Sequence, residues 1–187
     1  LSHEFLYKFE NILSVPRGKL LEQHIDGSAT IRILHYPPYS AEIKKDQMRI
    51  NEHTDYGSIT LLWRFDDVPG LQVFDRGKEE WVDVPMIENS IVLNVGDMLQ
   101  RWTNDLLKST PHRVINTEMT RSRYSMPYFV DPGRDVIIDN LTDQTDKYPP
   151  ISANDYLKWR LAQSYTDNNY IENEDVADEG AKHITNY

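Results

Sequence analysis

HTDYGSITLLW, residues 53–63, is the stretch that decides the fold of this 187-residue chain. Its second half, residues 59–63, is a run of β-branched and large apolar side chains, the composition of a buried strand. Its first half places the imidazole of His53 and the carboxylate of Asp55 two positions apart. Side chains at i and i+2 of an extended chain point to the same face. The stretch therefore predicts a core strand preceded by two potential metal ligands.

Short runs of β-type residues continue on the C-terminal side of this stretch. They are separated by turn dipeptides such as Pro69-Gly70 and Gly96-Asp97. Short strands at this spacing predict an antiparallel sandwich, jelly roll or small barrel. Upstream, residues 30–36 predict another strand, which stops at Pro37-Pro38. The further predicted strands are 71–74, 91–94, 98–102, 112–115 and 123–130.

Helices are predicted near the two ends of the chain. Apolar residues in 1–13 recur at helical spacing, and the pattern ends before Pro16. A second helix begins near Ser152, where Ser152 and Asp155 resemble a capping box. After Thr166 the composition becomes acidic and polar, so we expect a solvated tail.

Composition limits the possible functions. The chain has no cysteine, which excludes disulfides, cysteine zinc sites, iron–sulfur clusters held by its own side chains and a cysteine nucleophile. Any metal must therefore be bound by His, Asp or Glu. With 30 acidic and 20 basic side chains the formal net charge is −10, which argues against nucleic acid or an anionic membrane as a partner. The length predicts one domain, and we expect a cytoplasmic protein.

Two His-x-Asp triplets occur in the sequence. The one at His24 leads into Gly27-Ser28 and lies outside the run of strands, so we do not favour it as a metal site. The one at His53 leads directly into a predicted strand. Downstream, His112 begins another predicted strand. Two His and one Asp are the ligand set of the non-haem Fe(II) facial triad.

A second pair of polar side chains follows these candidate ligands. Arg123 and Ser125 open the next predicted strand and share one of its faces. A planar guanidinium can bind a carboxylate through two parallel hydrogen bonds, and a hydroxyl can donate to the same group. This pair predicts a binding site for a carboxylate.

With these segments the sequence resembles the Fe(II)- and 2-oxoglutarate-dependent dioxygenases, in the subgroup of isopenicillin N synthase and the plant flavonoid and gibberellin oxygenases. The resemblance covers residues 30–132, and its motifs stand in the order that the family has. They are HTDYGSITLL at 53–62, GLQV at 70–73, NVGD at 94–97, WTN at 102–104, KSTPHRV at 108–114 and RYSMP at 123–127.

The resemblance implies a mainly β fold, a double-stranded β-helix (jelly roll) with flanking helices. It implies that His53, Asp55 and His112 bind iron at the catalytic centre. Arg123 and Ser125 would hold the distal carboxylate of 2-oxoglutarate, and Tyr36 would also touch this co-substrate. We expect three parts of the chain: a supporting helix and loop at 1–29, the jelly-roll oxygenase core at 30–132, and a C-terminal helix with an acidic tail at 133–187.

The resemblance also implies an activity. Fe(II), 2-oxoglutarate and dioxygen would be used to convert 2-oxoglutarate to succinate while a C–H bond of a small-molecule substrate is hydroxylated, desaturated or cyclised. Two alternatives stay open: an iron-dependent oxidase that does not use 2-oxoglutarate, and a non-catalytic jelly-roll binding protein. Substrate identity and oligomeric state are not indicated.

The sequence departs from the family pattern in three places, one of which is a spacing from His112 to Arg123 that is slightly longer than expected for the family. Leu34 stands where many plant members have Asn, so no amide contact to the co-substrate is expected from this position. The N-terminal region that precedes the barrel in relatives is expected to be largely missing from this chain. The outer wall of the site would therefore differ.

Overall fold

Eleven strands, three α-helices and one 3₁₀ turn make up the described part of the chain, residues 1–40, 47–117, 120–142 and 147–164 of a computed structural model. The helices are α1 (Ser2–Leu13), α2 (Asp97–Trp102) and α3 (Ala153–Ser164), and the 3₁₀ turn is Leu21–His24. The strands are β1 (Ala29–Ile31), β2 (Leu34–Tyr36), β3 (Ile50–His53), β4 (Ile59–Arg64), β5 (Leu71–Asp75), β6 (Glu80–Asp83), β7 (Val92–Val95), β8 (His112–Val114), β9 (Arg123–Val130), β10 (Ile137–Ile138) and β11 (Ile151–Ser152).

Two antiparallel sheets form the body of the fold. The larger has the order β1-β9-β4-β7, with β2 also paired to β9, and the smaller has the order β3-β8-β5-β6. A cavity of about 500 Å³ is lined by strands of both sheets, so the sheets face each other across it. The predicted mainly β jelly roll with flanking helices is confirmed.

Strand β4 shows how the larger sheet divides its two faces. Thr60 and Leu62 line the cavity between the sheets. Ile59 and Leu61, which alternate with them, are fully buried on the opposite face. The helices pack on that opposite face and form the main hydrophobic core, which contains Leu6, Phe9, Leu20, Leu21, Ile59, Met98, Leu99, Trp102, Val130, Ile138, Ala153 and Tyr156. The interior between the sheets is thus left open for ligands.

The prediction of a strand at 98–102 is wrong, because this segment is helical and lies within α2. The reason lies in the backbone donors at the start of the helix. Asp97 N–H donates to the Asp55 carbonyl (2.8 Å), and Met98 N–H donates to the Gly57 carbonyl (3.1 Å). The loop after β3 therefore satisfies the first N–H groups of α2. Gly96 allows this approach, because a Cβ there would lie 2.2 Å from the Gly57 carbonyl oxygen.

Most other element predictions are confirmed, in most cases with slightly changed bounds. Segment 30–36 is interrupted and forms β1 and β2, and strands β3, β6, β10 and β11 were not predicted. Helix α3 starts as expected, with Asp155 N–H donating to Ser152 Oγ at 3.1 Å. The predicted acidic tail lies outside the described residues. Within the described ranges, no helix has both the length and the apolar character needed to cross a membrane.

Candidate functional site

The two candidate histidines lie side by side on neighbouring strands of the smaller sheet. His53 is the last residue of β3 and His112 the first of β8, and the two are paired in register. Their ring centroids are 4.3 Å apart. Asp55 follows two residues after β3, and its Oδ1 lies 3.9 Å from His53 Nε2 and 3.6 Å from His112 Nε2. Long-range strand pairing thus brings together three side chains that are up to 59 positions apart.

Backbone carbonyls orient both imidazole rings. His53 Nδ1 lies 2.8 Å from the Asn51 carbonyl oxygen, and His112 Nδ1 lies 3.1 Å from that of Thr110. A carbonyl can only accept, so each Nδ1 carries the proton and donates. Nε2 of each ring is therefore the nitrogen that points toward Asp55 and is available to a metal. Burial, followed by the nearby His112, lowers the pKa of His53, which keeps this ring neutral and able to bind a metal.

Asp55 is fixed by a residue whose role was not predicted from the sequence. Asn94 of β7 donates from Nδ2 to Asp55 Oδ2 at 2.8 Å, which leaves Oδ1 directed at the histidines. Asp55 itself is only 8% exposed. The signal available in the sequence was a single amide, Asn94, in the otherwise apolar run VLNV. In the structure its side chain lines the cavity.

These three side chains fit a metal ion. Two imidazole nitrogens and one carboxylate oxygen all lie within 4.8 Å of one another, and no other group of three or more such side chains in the described residues does so. A 2-His-1-carboxylate set with open positions suits Fe(II). The histidines also have the orienting hydrogen bonds that are typical of metal ligands.

The cavity between the sheets contains the predicted carboxylate-binding pair. Arg123 and Ser125 on β9 are each only 2% exposed, and both line this cavity. Arg123 Nη1 has no hydrogen-bond partner among the described residues. An unpaired buried guanidinium N–H is costly, and an anionic ligand in the cavity would satisfy it.

Tyr36 lies beside this arginine. It pairs in register with Arg123 across β2 and β9, and the Arg123 guanidinium carbon lies 4.9 Å from the centroid of the Tyr36 ring. Leu34, two residues earlier, lines the same cavity with an apolar side chain. All six predicted site residues line this one cavity, namely Tyr36, His53, Asp55, His112, Arg123 and Ser125. Their individual roles stay predictions.

A second cavity of about 330 Å³ adjoins the candidate metal ligands on another side. His53 and Asp55 line both cavities, and so do Arg32 and Phe129. The Arg32 guanidinium carbon lies 5.7 Å from the Phe129 ring centroid. Asp131 also lines this second cavity, and burial, followed by the charge of Asp55, raises its pKa to about 6. Helix α3 closes one side with Leu157 and Leu161.

The other histidine triplet has no metal site. His24 Nδ1 lies 2.8 Å from the Leu20 carbonyl oxygen and Nε2 lies 2.8 Å from Ser58 Oγ, so both ring nitrogens are already hydrogen-bonded. Asp26 is exposed. His24 is a buried structural residue.

Comparison with known proteins gives consistent matches. The model of the 2OG-Fe(II) oxygenase superfamily matches residues 27–132, more than half of the chain. A 2-oxoglutarate-Fe(II) type oxidoreductase of Emericella nidulans is 41% identical over 145 residues, covering 74% of this chain and 41% of that protein. A proline hydroxylase of Petromyces alliaceus is 40% identical over 152 residues, covering 74% of this chain and 47% of that protein.

Comparison with solved structures agrees with these sequence matches. The chain is similar to a full-length protein of Neurospora crassa that was crystallised in complex with alpha-ketoglutarate and thymine, with 36% identity and a TM-score of 0.78. That match covers 88% of this chain and 53% of the Neurospora protein. The chain spans about half the length of the curated relatives it matches.

Proposed function

Because the chain belongs to the 2OG-Fe(II) oxygenase superfamily, we propose that it is the catalytic part of an Fe(II)- and 2-oxoglutarate-dependent dioxygenase acting on a small molecule. The observation that carries this proposal is that six candidate side chains, distributed from position 36 to position 125, line one cavity. The buried Arg123, with an unpaired N–H, lies in the same cavity as the three candidate metal ligands.

In the proposed mechanism His53, Asp55 and His112 would hold Fe(II). With 2-oxoglutarate and dioxygen the metal would supply the oxidising chemistry, in which 2-oxoglutarate becomes succinate and carbon dioxide and a substrate C–H bond is hydroxylated. Nε2 of His53 and Nε2 of His112 would donate their lone pairs to the metal, and the carboxylate of Asp55 would balance part of its charge.

The protein residues around the co-substrate bind it and exclude water. Arg123 and Ser125 would bind the distal carboxylate of 2-oxoglutarate by charge-assisted hydrogen bonds. Tyr36 stacks beside the guanidinium and restricts its orientation. Apolar side chains of both sheets, among them Leu62 and Val114, make up most of the remaining cavity lining and disfavour water there.

The second cavity is the place that we propose for the substrate. At about 330 Å³ it lies in the usual size range of small-molecule sites. Arg32 offers a positive group, Asp131 a carboxyl group and Phe129 an aromatic surface. This set suits a small dipolar molecule with an acceptor or anionic group and a donor group. Relatives named as a proline hydroxylase and as a thymine-bound protein make amino acids and pyrimidine bases the first candidates.

Three properties stay predictions from the sequence. They are the cytoplasmic location, the exclusion of nucleic acid as a partner, which rests on the charge of −10, and the division of the chain at positions 29 and 132.

An anaerobic optical titration tests the proposal. With Fe(II) bound, addition of 2-oxoglutarate should produce a visible absorption band. Arg123→Met should raise the half-saturating 2-oxoglutarate concentration roughly 10- to 100-fold, because charge-assisted hydrogen bonds are lost. Arg64→Met is the matched control and should change it far less. Arg64 lies near Arg123, but its Nη1 donates to the Val84 carbonyl at 2.9 Å.

The same titration can contradict the proposal. A protein that binds Fe(II) but shows no band at any 2-oxoglutarate concentration does not use this co-substrate in the proposed way. Equal half-saturation in both arginine variants would show that Arg123 does not bind the carboxylate.

A further inference from the structure

Helix α3 lies far from the candidate metal ligands in sequence, yet one of its side chains reaches their loop. Arg160 Nη2 donates to Thr54 Oγ1 at 2.9 Å, across 106 positions of sequence. Its guanidinium carbon also lies 4.8 Å from the centroid of the Tyr56 ring. Thr54 and Tyr56 alternate with His53 and Asp55 along the chain. Arg160 therefore contacts Thr54, between the two candidate ligands, and Tyr56, directly after the second of them.

Asp97 completes this contact and connects it to Asp55. Arg160 Nη2 lies 2.8 Å from Asp97 Oδ2, and Thr54 Oγ1 donates to the same oxygen at 3.0 Å. The N–H of Asp97 donates to the carbonyl of Asp55 at 2.8 Å. The three side chains of Thr54, Asp97 and Arg160 form a closed triangle, and the backbone of its acidic member holds the peptide of a candidate ligand.

The triangle is deeply buried. Asp97 is 1%, Thr54 3% and Arg160 6% exposed. A buried ion pair of this kind adds little net stability compared with apolar residues, but loss of one partner leaves an uncompensated charge. In some proteins such pairs define one arrangement of the groups around them. Here those groups are the loop 53–57 and the start of α2.

We propose that Arg160 is a positioning residue for the metal site: through Thr54 and Asp97 it fixes the backbone at Asp55 and so the direction of the Asp55 carboxylate. The inference rests on the proposed role of His53, Asp55 and His112 as iron ligands. It adds that the metal site depends on the C-terminal helix, which lies beyond residues 27–132, the segment that carries the family match. Residues supporting metal ligands typically change metal affinity about 10- to 100-fold when mutated.

Titration with Mn(II), followed by the electron paramagnetic resonance of the free ion, tests this directly. Arg160→Met should raise the Mn(II) dissociation constant roughly 10- to 100-fold. Arg160→Lys should give an intermediate value, because the charge stays but the planar fork is lost. Both variants should lose thermal stability.

Arg101→Met is the matched control. Arg101 is 7% exposed, and its guanidinium carbon lies 5.8 Å from the ring centroid of Tyr156 on the same helix α3. The variant therefore loses a similarly buried arginine but keeps the contacts of Arg160 with Thr54 and Asp97. It should lose stability and retain the wild-type dissociation constant for Mn(II). Equal weakening in Arg160→Met and Arg101→Met would overturn the inference.

Two further variants complete the experiment. If Arg160→Met does not fold, Thr54→Val decides, since it removes the hydroxyl and keeps the shape; weaker Mn(II) binding supports the inference and unchanged binding overturns it.

Asp55→Ala separates the proposed ligand set from the proposed positioning role of Arg160. If Asp55→Ala binds Mn(II) as wild type does, the proposed ligand set is wrong and the positioning role falls with it. If Asp55→Ala abolishes binding while Arg160→Met has no effect, only the positioning role is wrong.

Discussion

His24 and His53 are both followed by an Asp two positions later, but the two imidazole rings have different hydrogen-bond partners in the fold. Both nitrogens of His24 are hydrogen-bonded within the protein, whereas His53 uses only Nδ1 and presents Nε2 to the cavity. The sequence favours His53 because a strand follows it, and this interpretation agrees with the geometry. What the triplet alone does not contain is the partner of each nitrogen, since Leu20 and Ser58 reach His24 only in the folded chain.

The buried state of His24 predicts a pH dependence of stability. Burial lowers its pKa from 6.5 to about 4 in the folded protein. Between these values the unfolded state binds more protons than the folded state, so the free energy of unfolding falls as the pH falls. His24 should account for a loss of about 2 kcal/mol between pH 7 and pH 5.

Denaturant unfolding of wild type and His24→Gln at both pH values measures this contribution. The variant should lose about 2 kcal/mol less than wild type over the same pH interval, because its side chain does not titrate. Parallel pH profiles of the two proteins would mean that His24 is not a buried neutral imidazole.

At the scale of elements, the polar residues that hold the loops were harder to predict than the strands. Segment 123–130 is a strand with the predicted bounds, because its alternation and β-type composition act locally. Segment 98–102 has a composition compatible with a strand, but the carbonyls of loop 55–57 make it helical. These hydrogen bonds join residues some 40 positions apart, so the local sequence pattern cannot predict them.

Helix α1 offers a test of a polar side chain that holds the loop after its own element. The buried carboxylate of Glu10 accepts three backbone hydrogen bonds, from Gly18 (2.8 Å), Leu20 (2.8 Å) and Leu21 (2.9 Å). Glu10→Gln removes the charge and replaces one acceptor oxygen by a donor. The free energy of unfolding should fall by about 2–3 kcal/mol, as for hydrogen bonds to charged groups.

Glu4→Gln is the control for this variant. Glu4 lies in the first turn of the same helix and is exposed. Its substitution should change the free energy of unfolding by less than about 0.5 kcal/mol. Similar values for the two variants, measured by denaturant unfolding, would contradict the structural role assigned to Glu10.

At the scale of the whole molecule, the fold places the hydrophobic core and the ligand space on opposite faces of one sheet. Helices cover the outer face of the larger sheet, and the candidate site occupies the space between the two sheets. The family and the jelly-roll fold were predicted from ordered motifs in 30–132, and both predictions are confirmed. Neither Asn94 as the residue that holds Asp55 nor the position of Arg160 of α3 was predicted, because each depends on contacts between residues far apart in sequence.

The central claim is that the two adjoining cavities together couple 2-oxoglutarate conversion to oxidation of a small dipolar substrate. Succinate release, measured aerobically with Fe(II) and 2-oxoglutarate over a panel of amino acids and pyrimidine bases, tests it most directly. At least one member of the panel should stimulate succinate release and gain oxygen, and Asp55→Ala should abolish both effects. Succinate release that is unchanged in Asp55→Ala, or no stimulation by any member of the panel, would contradict it.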